Sequence, residues 1–265
     1  MIYTVLLLLT GCSDSGSSFE NVSTKQDSAA IVFGPSLTEL FYISGIDGRL
    51  AGVDRFSVWP DSVSEIAKVG DFLSPSLEQV IALNATSIHV VGSNPSLEEL
   101  ASRLSVPCYH YSFDTLDDII ETCSRLEELY SEANFDEFKN DIETAFQSAS
   151  CDSVSVMIVI YLEEGGSITL AGEGTFYQDI LEALNCTLAT PQTGTYPSVS
   201  VEGILSINPN FVILLDPYNA GESLLDSWSA NGLDDSNVSV LSGDYVLIPG
   251  ARLPQLILEI SSCLH

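Results

Sequence analysis

The sequence predicts an α/β protein of two Rossmann-like lobes with parallel sheets, joined by a single long rigid helix. Three observations predict it. The stretch SLEQVIALN (76–84) returns as SVEGILSIN (200–208), with Ser, Glu, apolar residues and Asn at matching positions. Each copy runs into an apolar strand candidate, SIHVV (87–91) or FVILLD (211–216), so one helix-to-strand unit is used twice. Short apolar runs also alternate with helical spacing along most of the chain, the pattern of parallel α/β construction. Between the halves, 114–149 carries no strand signal, while Phe135, Phe138, Ile142 and Phe146 fall at helical spacing.

Each element follows from its local pattern. The first lobe, 29–131, opens with AAIVFG (29–34), a buried-strand run. SLTELFYISG follows with helical spacing, Ser36 as N-cap and Gly45 as stop. RLAGV (49–53) is a short strand, and the first repeat unit comes next. SLEELASRL (96–104) reads as a helix and VPCYHYS (106–112) as a strand. The connecting helix is assigned to 132–150; a stiff strut of that kind disfavours large hinge motion. The second lobe, 151–265, begins with the β-branched run SVSVMIVIY (153–161) and SITLAG (167–172). It continues through the helix TFYQDILEAL (175–184), the second repeat unit and a final helix, PQLILEISSCL (254–264).

Composition narrows the function. At 265 residues and 45% apolar content the chain can fill substantial cores. Acids number 37 against eight Lys and Arg, for a net charge of −29. Phosphate-backbone binding depends on clustered Lys and Arg, which argues against a nucleic-acid partner. The start, IYTVLLLLTGC (2–12), is an apolar run too short to span a bilayer, ending in small residues before Cys12. It resembles a bacterial lipoprotein signal, which implies lipidation at Cys12, export and a membrane anchor, although no basic residue precedes the run. SDSGSSFENVSTKQDS (13–28) reads as a flexible tether. Export permits disulfides among Cys108, Cys123, Cys151, Cys186 and Cys263, an odd number that leaves at least one free or paired elsewhere. Cys186 with Cys263 is the candidate staple of the C-terminus, and Cys108 with Cys123 a weaker one.

Catalytic signatures are missing. The sequence holds no GxSxG elbow, HExxH or Walker A motif, and GEG at 172–174 is too short for a phosphate loop. Its histidines are His89, His110 and His265, and His89 lies within an apolar run, where a satisfied core histidine is expected. That set cannot supply a His-rich metal site, so no metal and no enzyme activity are expected.

The segment AAIVFGPSLTELFYISGIDGRLAGVDRFSVWP (29–60) resembles the opening of bacterial substrate-binding proteins for cobalamin, ferric siderophores and haem. VGDFLSPSLEQVIAL, YPSVSVEGILSINPNFVILL and IPGARLPQLI are similar to later blocks of that family, so the resemblance covers nearly all of 29–262. It implies two α/β lobes joined by one long helix, with the ligand cleft between them. It also implies a monomer that passes a small molecule to the permease and ATPase subunits of an ABC importer. In the family, one surface glutamate on each lobe docks into arginine pockets of the permease, and Glu78 and Glu202 stand at the matching motif positions. Each is equally explained as a first-turn acid behind a serine N-cap.

For the cleft, the candidates on the first lobe are Ser36, Arg55, Phe56, Trp59, Phe72 and Leu73. Those on the second are Thr169, Phe176, Tyr196, Tyr218 and Arg252. Trp59, Phe72 and Tyr196 fall where relatives place aromatic walls. The competing reading of each aromatic is a packed core residue, and that of Arg252 a structural ion pair. Ferric catecholates and carboxylates would need several cations, whereas Arg55 and Arg252 alone are at hand in a strongly negative molecule. A corrinoid of little net charge therefore leads. A ferric siderophore, haem, or a non-transport docking protein of the same fold are the alternatives.

Overall fold

The computed structural model describes residues 28–149, 153–163, 167–190 and 194–264. The expected lipidation site Cys12 and the tether up to residue 27 lie outside them, as does Cys151.

The first sheet is built from β1 (Ala30–Phe33), β2 (Leu50–Val53), β3 (Ala67–Lys68), β4 (Ser87–Val91) and β5 (Cys108–Tyr111). Its order is β3-β2-β1-β4-β5, with every pairing parallel. The helices of this half are α1 (Pro35–Ile43), α2 (Leu77–Ala82) and α3 (Pro95–Leu104). They connect parallel strands, which hairpin turns cannot do. Between the two sheets run α4 (Leu116–Leu129), within the span assigned to the first lobe, and α5 (Asp136–Ser148), within the 132–150 assigned to the connecting helix. Thr115 starts α4 with a capping box closed by Asp118.

The second sheet comprises β6 (Ser155–Leu162), β7 (Ile168–Leu170), β8 (Thr187–Leu188), β9 (Ser198–Val199), β10 (Phe211–Asp216) and β11 (Val238–Ser242). Its helices are α6 (Phe176–Ala183), α7 (Val201–Ile207), α8 (Glu222–Ala230) and α9 (Leu253–Ser262). Here the expectation of a parallel sheet needs correction. β11, β10, β6 and β8 pair in parallel, but β7 runs antiparallel to both β6 and β9. The eight-residue β6 makes this possible, because β8 pairs its first residues and β7 its last.

Alternation along the strands sends side chains to opposite faces. Ala30 and Val32 of β1, Val156 and Ile158 of β6, and Ile213 and Leu215 of β10 enter one large core shared by both sheets. That core also takes Leu37, Leu40 and Phe41 of α1 and the apolar faces of α4, α5, α6 and α9. The alternate residues Ile31 and Phe33 join Val80 of α2 and Leu97 of α3 in a smaller outer core. Met157, Val159, Val212 and Leu214 join Ile204 of α7 and Trp228 of α8 in another. The two copies of the repeat are therefore the outer helices of the two lobes. Each ends on a left-handed asparagine, Asn84 and Asn208, both at φ 51°. Asn enters that region with a lower penalty than most residues, which accounts for its place in the repeat.

The expected Cys186–Cys263 bridge does not form. Cys186 is disulfide-bonded, but Cys263 is free, as are Cys108 and Cys123. Ser36 is not the N-cap of α1 either. Gly34 takes that place at φ 133°, where a Cβ would meet Val91 Cγ2 at 2.4 Å.

Candidate functional site

In open α/β sheets the loops beyond the carboxyl ends of the strands form the natural ligand crevice. Three of those loops here are built by buried aspartates. Asp54, one residue past β2, accepts hydrogen bonds from the N–H groups of Gly34, Phe56 and Ser57 and from the Ser57 hydroxyl. Asp71, beyond β3, accepts from the N–H groups of Leu73 and Ser74. Asp216, the last residue of β10, accepts from the N–H groups of Tyr218, Ala220 and Gly221 and from the Ser242 hydroxyl. Burial works to raise the Asp216 pKa, but these donors outweigh it and hold the carboxylate below its ordinary value.

What the folded loops present is apolar. Phe56 is 58% exposed, Leu73 88% and Tyr218 85%, with Phe72 also open to solvent. Large apolar side chains left this open on loops beyond the strand ends are candidates for ligand contact. Val58, Tyr161 and Leu247 are exposed in the same way and were not among the sequence candidates. Tyr161 is the penultimate residue of the long central strand β6 and pairs with Thr169 of β7. A pocket of about 190 Å³ lies there, lined by Tyr161, Leu215, Asp216, Tyr218, Leu224 and Leu247. The one aromatic near the end of a long apolar strand was the signal available in the sequence for Tyr161; Val58 and Leu247 carried none.

Tyr196 enters from the second lobe on the loop before β9 and is half exposed. Burial raises its hydroxyl pKa, and the charge of Asp114, beyond β5 of the first lobe, raises it further. Its loop lies on Gly172, where a Cβ would come within 1.9 Å of the Gly194 carbonyl oxygen. Gly172 thus serves close backbone approach.

Other candidates are placed differently. Phe176 is 3% exposed and belongs to the shared core, against Tyr177. Ser36 is buried in the first turn of α1, and Thr169 is partly covered within β7. Arg252 is held by carboxylates from both lobes, Glu39 at 2.6 Å and Asp244 at 2.5 Å, which places it in the ion-pair reading. Arg55 stays exposed, yet it pairs with Asp71 at 2.6 Å and covers the Phe56 ring at 4.8 Å. Lys68 donates to the Ser57 carbonyl at 2.6 Å. These three cations of the crevice loops are all engaged.

Glu78 and Glu202 are both exposed, in the first turns of α2 and α7. Their caps differ: the Ser200 hydroxyl accepts from Gly203 N–H, whereas the Ser76 side chain makes no cap bond. A hydrogen bond from Ser200 lowers the Glu202 pKa. His89 is fully buried, its ring nitrogens 2.9–3.0 Å from the hydroxyls of Tyr111, Tyr130 and Ser87. Among the described residues there is no cluster of three or more His, Cys, Asp or Glu that could hold a metal. No helix among them is long and apolar enough to cross a membrane.

Comparison with known proteins agrees with this geometry. A vitamin B12-binding protein of Vibrio parahaemolyticus is 23% identical over 244 residues, covering 89% of this chain and 88% of its own. The crystal structure of the periplasmic vitamin B12-binding protein of Vibrio cholerae aligns with a TM-score of 0.72 at 19% identity, covering 89% of this chain and 96% of that one. A periplasmic haem-binding protein from Roseiflexus sp. RS-1 aligns equally well, with a TM-score of 0.72 at 17% identity, covering 89% and 97%. Equal likeness to a vitamin B12 binder and a haem binder establishes the fold without selecting a ligand. Residues 31–234 match the family described as periplasmic binding protein. With that match and its fold, the chain belongs to the periplasmic binding protein family.

Proposed function

We propose that this chain is the extracytoplasmic substrate-binding protein of an ABC importer, and that its cargo is a corrinoid such as cobalamin. The observation that carries the cargo reading is the chemistry of the crevice loops. They offer Phe56, Val58, Phe72, Leu73, Tyr161, Tyr196 and Tyr218, while Arg55, Lys68 and Arg252 are already engaged. A broad apolar and aromatic surface suits a large ligand of little net charge. An anionic chelate would find no uncommitted cation on these loops and would approach a molecule of net charge −29. Vitamin B12 binding by relatives of 23% identity supports the same choice.

The supporting subunits would be a separate permease and ATPase. Glu78 and Glu202 are proposed to meet the permease, since both are exposed at the same position of the two outer helices. A lipid anchor at Cys12 would keep the carrier at the membrane surface. A second cargo reading, haem, draws on Tyr161, Tyr196 and Tyr218, which are exposed phenols able to serve as axial ligands.

Calorimetric titration of the chain starting after Cys12 decides among them. Cyanocobalamin is expected to bind one to one with a Kd below about 1 μM, near −8 kcal/mol. Hemin, a neutral ferric hydroxamate and a ferric catecholate are titrated in parallel. Binding of hemin or an iron chelate without cyanocobalamin would overturn the corrinoid reading and keep the carrier. A chain that binds none of them would favour a docking protein.

A further inference from the structure

Arg252 occupies a cage with walls from both halves of the molecule. It stands at the start of α9 in the second lobe, with its side chain only 13% exposed. One terminal nitrogen donates to Glu39 Oε1 of α1 at 2.6 Å, the other to Asp244 Oδ1 at 2.5 Å. The guanidinium carbon lies 5.4 Å from the Trp59 ring centroid and 5.3 Å from that of Tyr245. Glu39 and Trp59 belong to the first lobe, Asp244 and Tyr245 to the second. One cation is thus gripped by a carboxylate and an aromatic ring from each side.

The grip is well buried where it crosses between lobes. Glu39 is 1% exposed, and Gly250 lies so close that a Cβ there would come within 2.5 Å of Glu39 Oε2. An arginine fits this place for reasons a lysine does not share: its planar fork serves two carboxylates while its delocalised charge lies within reach of two aromatic rings. Removing it would leave the Glu39 carboxyl buried without its partner, a more costly state than a broken surface pair.

We propose that Arg252 is a clamp between the lobes that fixes the spacing of the cleft and the attitude of the Trp59 ring. It is a positioning residue and makes no contact with cargo. The part concerning Trp59 rests on the reading of that ring as a cleft wall; the spacing of the lobes does not.

The test compares the intact chain with Arg252→Met, Arg252→Lys and Glu39→Gln. Nitroxide-bearing unnatural residues at the exposed positions Ser102 on α3 and Ala230 on α8 report the distance between lobes by pulsed electron resonance. Their use leaves the native cysteines unmodified. Acrylamide quenching reports Trp59, because Trp228 is 1% exposed and contributes a protected background. Arg252→Met is expected to broaden the distance distribution about twofold and to raise quenching about twofold, with helix content retained. Cyanocobalamin affinity should fall at least tenfold, with partial rescue by Arg252→Lys. Glu39→Gln, which retains the arginine, should move both ligand-free readouts in the same direction and decides the matter if Arg252→Met does not fold. Unchanged distance and quenching would overturn the clamp, and lost affinity alongside them would make Arg252 a ligand contact. Failure of the unaltered chain to bind cyanocobalamin would overturn the cargo reading alone, since both ligand-free readouts still decide the clamp.

Discussion

An aspartate at the carboxyl end of a strand can fold the loop beyond it back onto its own carboxylate, and Asp54, Asp71 and Asp216 each do so. The loop is satisfied internally, so the next large side chain is free to stand in solvent. Replacing Asp216 by Ala removes the acceptor of four hydrogen bonds in a nearly buried place. The expected loss is about 2–3 kcal/mol in urea unfolding, with weakened cyanocobalamin binding as Tyr218 loses its support. His89 makes a different prediction. Burial, with the nearby Arg125 charge, lowers its pKa from 6.5 to about 3. The unfolded chain therefore binds a proton between those values and the folded chain does not, so stability falls as pH drops through that window. The full effect is on the order of 5 kcal/mol. Thermal denaturation of His89→Gln should show a correspondingly flatter dependence on pH between 6.5 and 3 than the unaltered chain. The sequence identified His89 as a core residue from its apolar neighbours. It did not identify Tyr111 and Tyr130 among the groups that satisfy the ring, because they lie 22 and 41 positions away; Ser87 lies on the same strand, two residues off.

The repeat was the most legible element. Its Val80 and Ile204 fill the outer cores, its asparagines take the left-handed turn, and its acids are exposed. Changing Glu78 and Glu202 together to Ala should leave cyanocobalamin affinity within about twofold yet reduce uptake in cells more than tenfold. Normal uptake would remove the docking role. Other elements were hidden for physical reasons. α4 buries Ile119, Cys123 and Leu126 at helical spacing, but acids and other polar residues between them mute the pattern. β7 and β9 are three and two residues long, too short for their direction to be read. Phe176 and Tyr177 are adjacent aromatics at a helix start, and which of them met a cleft depended on packing across the shared core. Arg252 gave two readings in the sequence because its partner Glu39 lies 213 positions away.

Across the molecule, the shared core fixes how the lobes respond to stress. It runs from Ala30 in β1 to Leu264 after α9, and α5 of the connection packs on α9. Heating is expected to give one calorimetric transition with matching calorimetric and van't Hoff enthalpies; two resolved transitions would show lobes that melt separately. The repeat that opened the sequence has the look of a unit copied once, each copy keeping a private core on its outer side. Yet the interior between the sheets belongs to neither copy, and its final layer is supplied by the last helix of the chain. Whatever ancestry the halves share, they have become indivisible. A gene cut at the connection would encode two fragments, each exposing one side of a common interior, and each would need the other to fold.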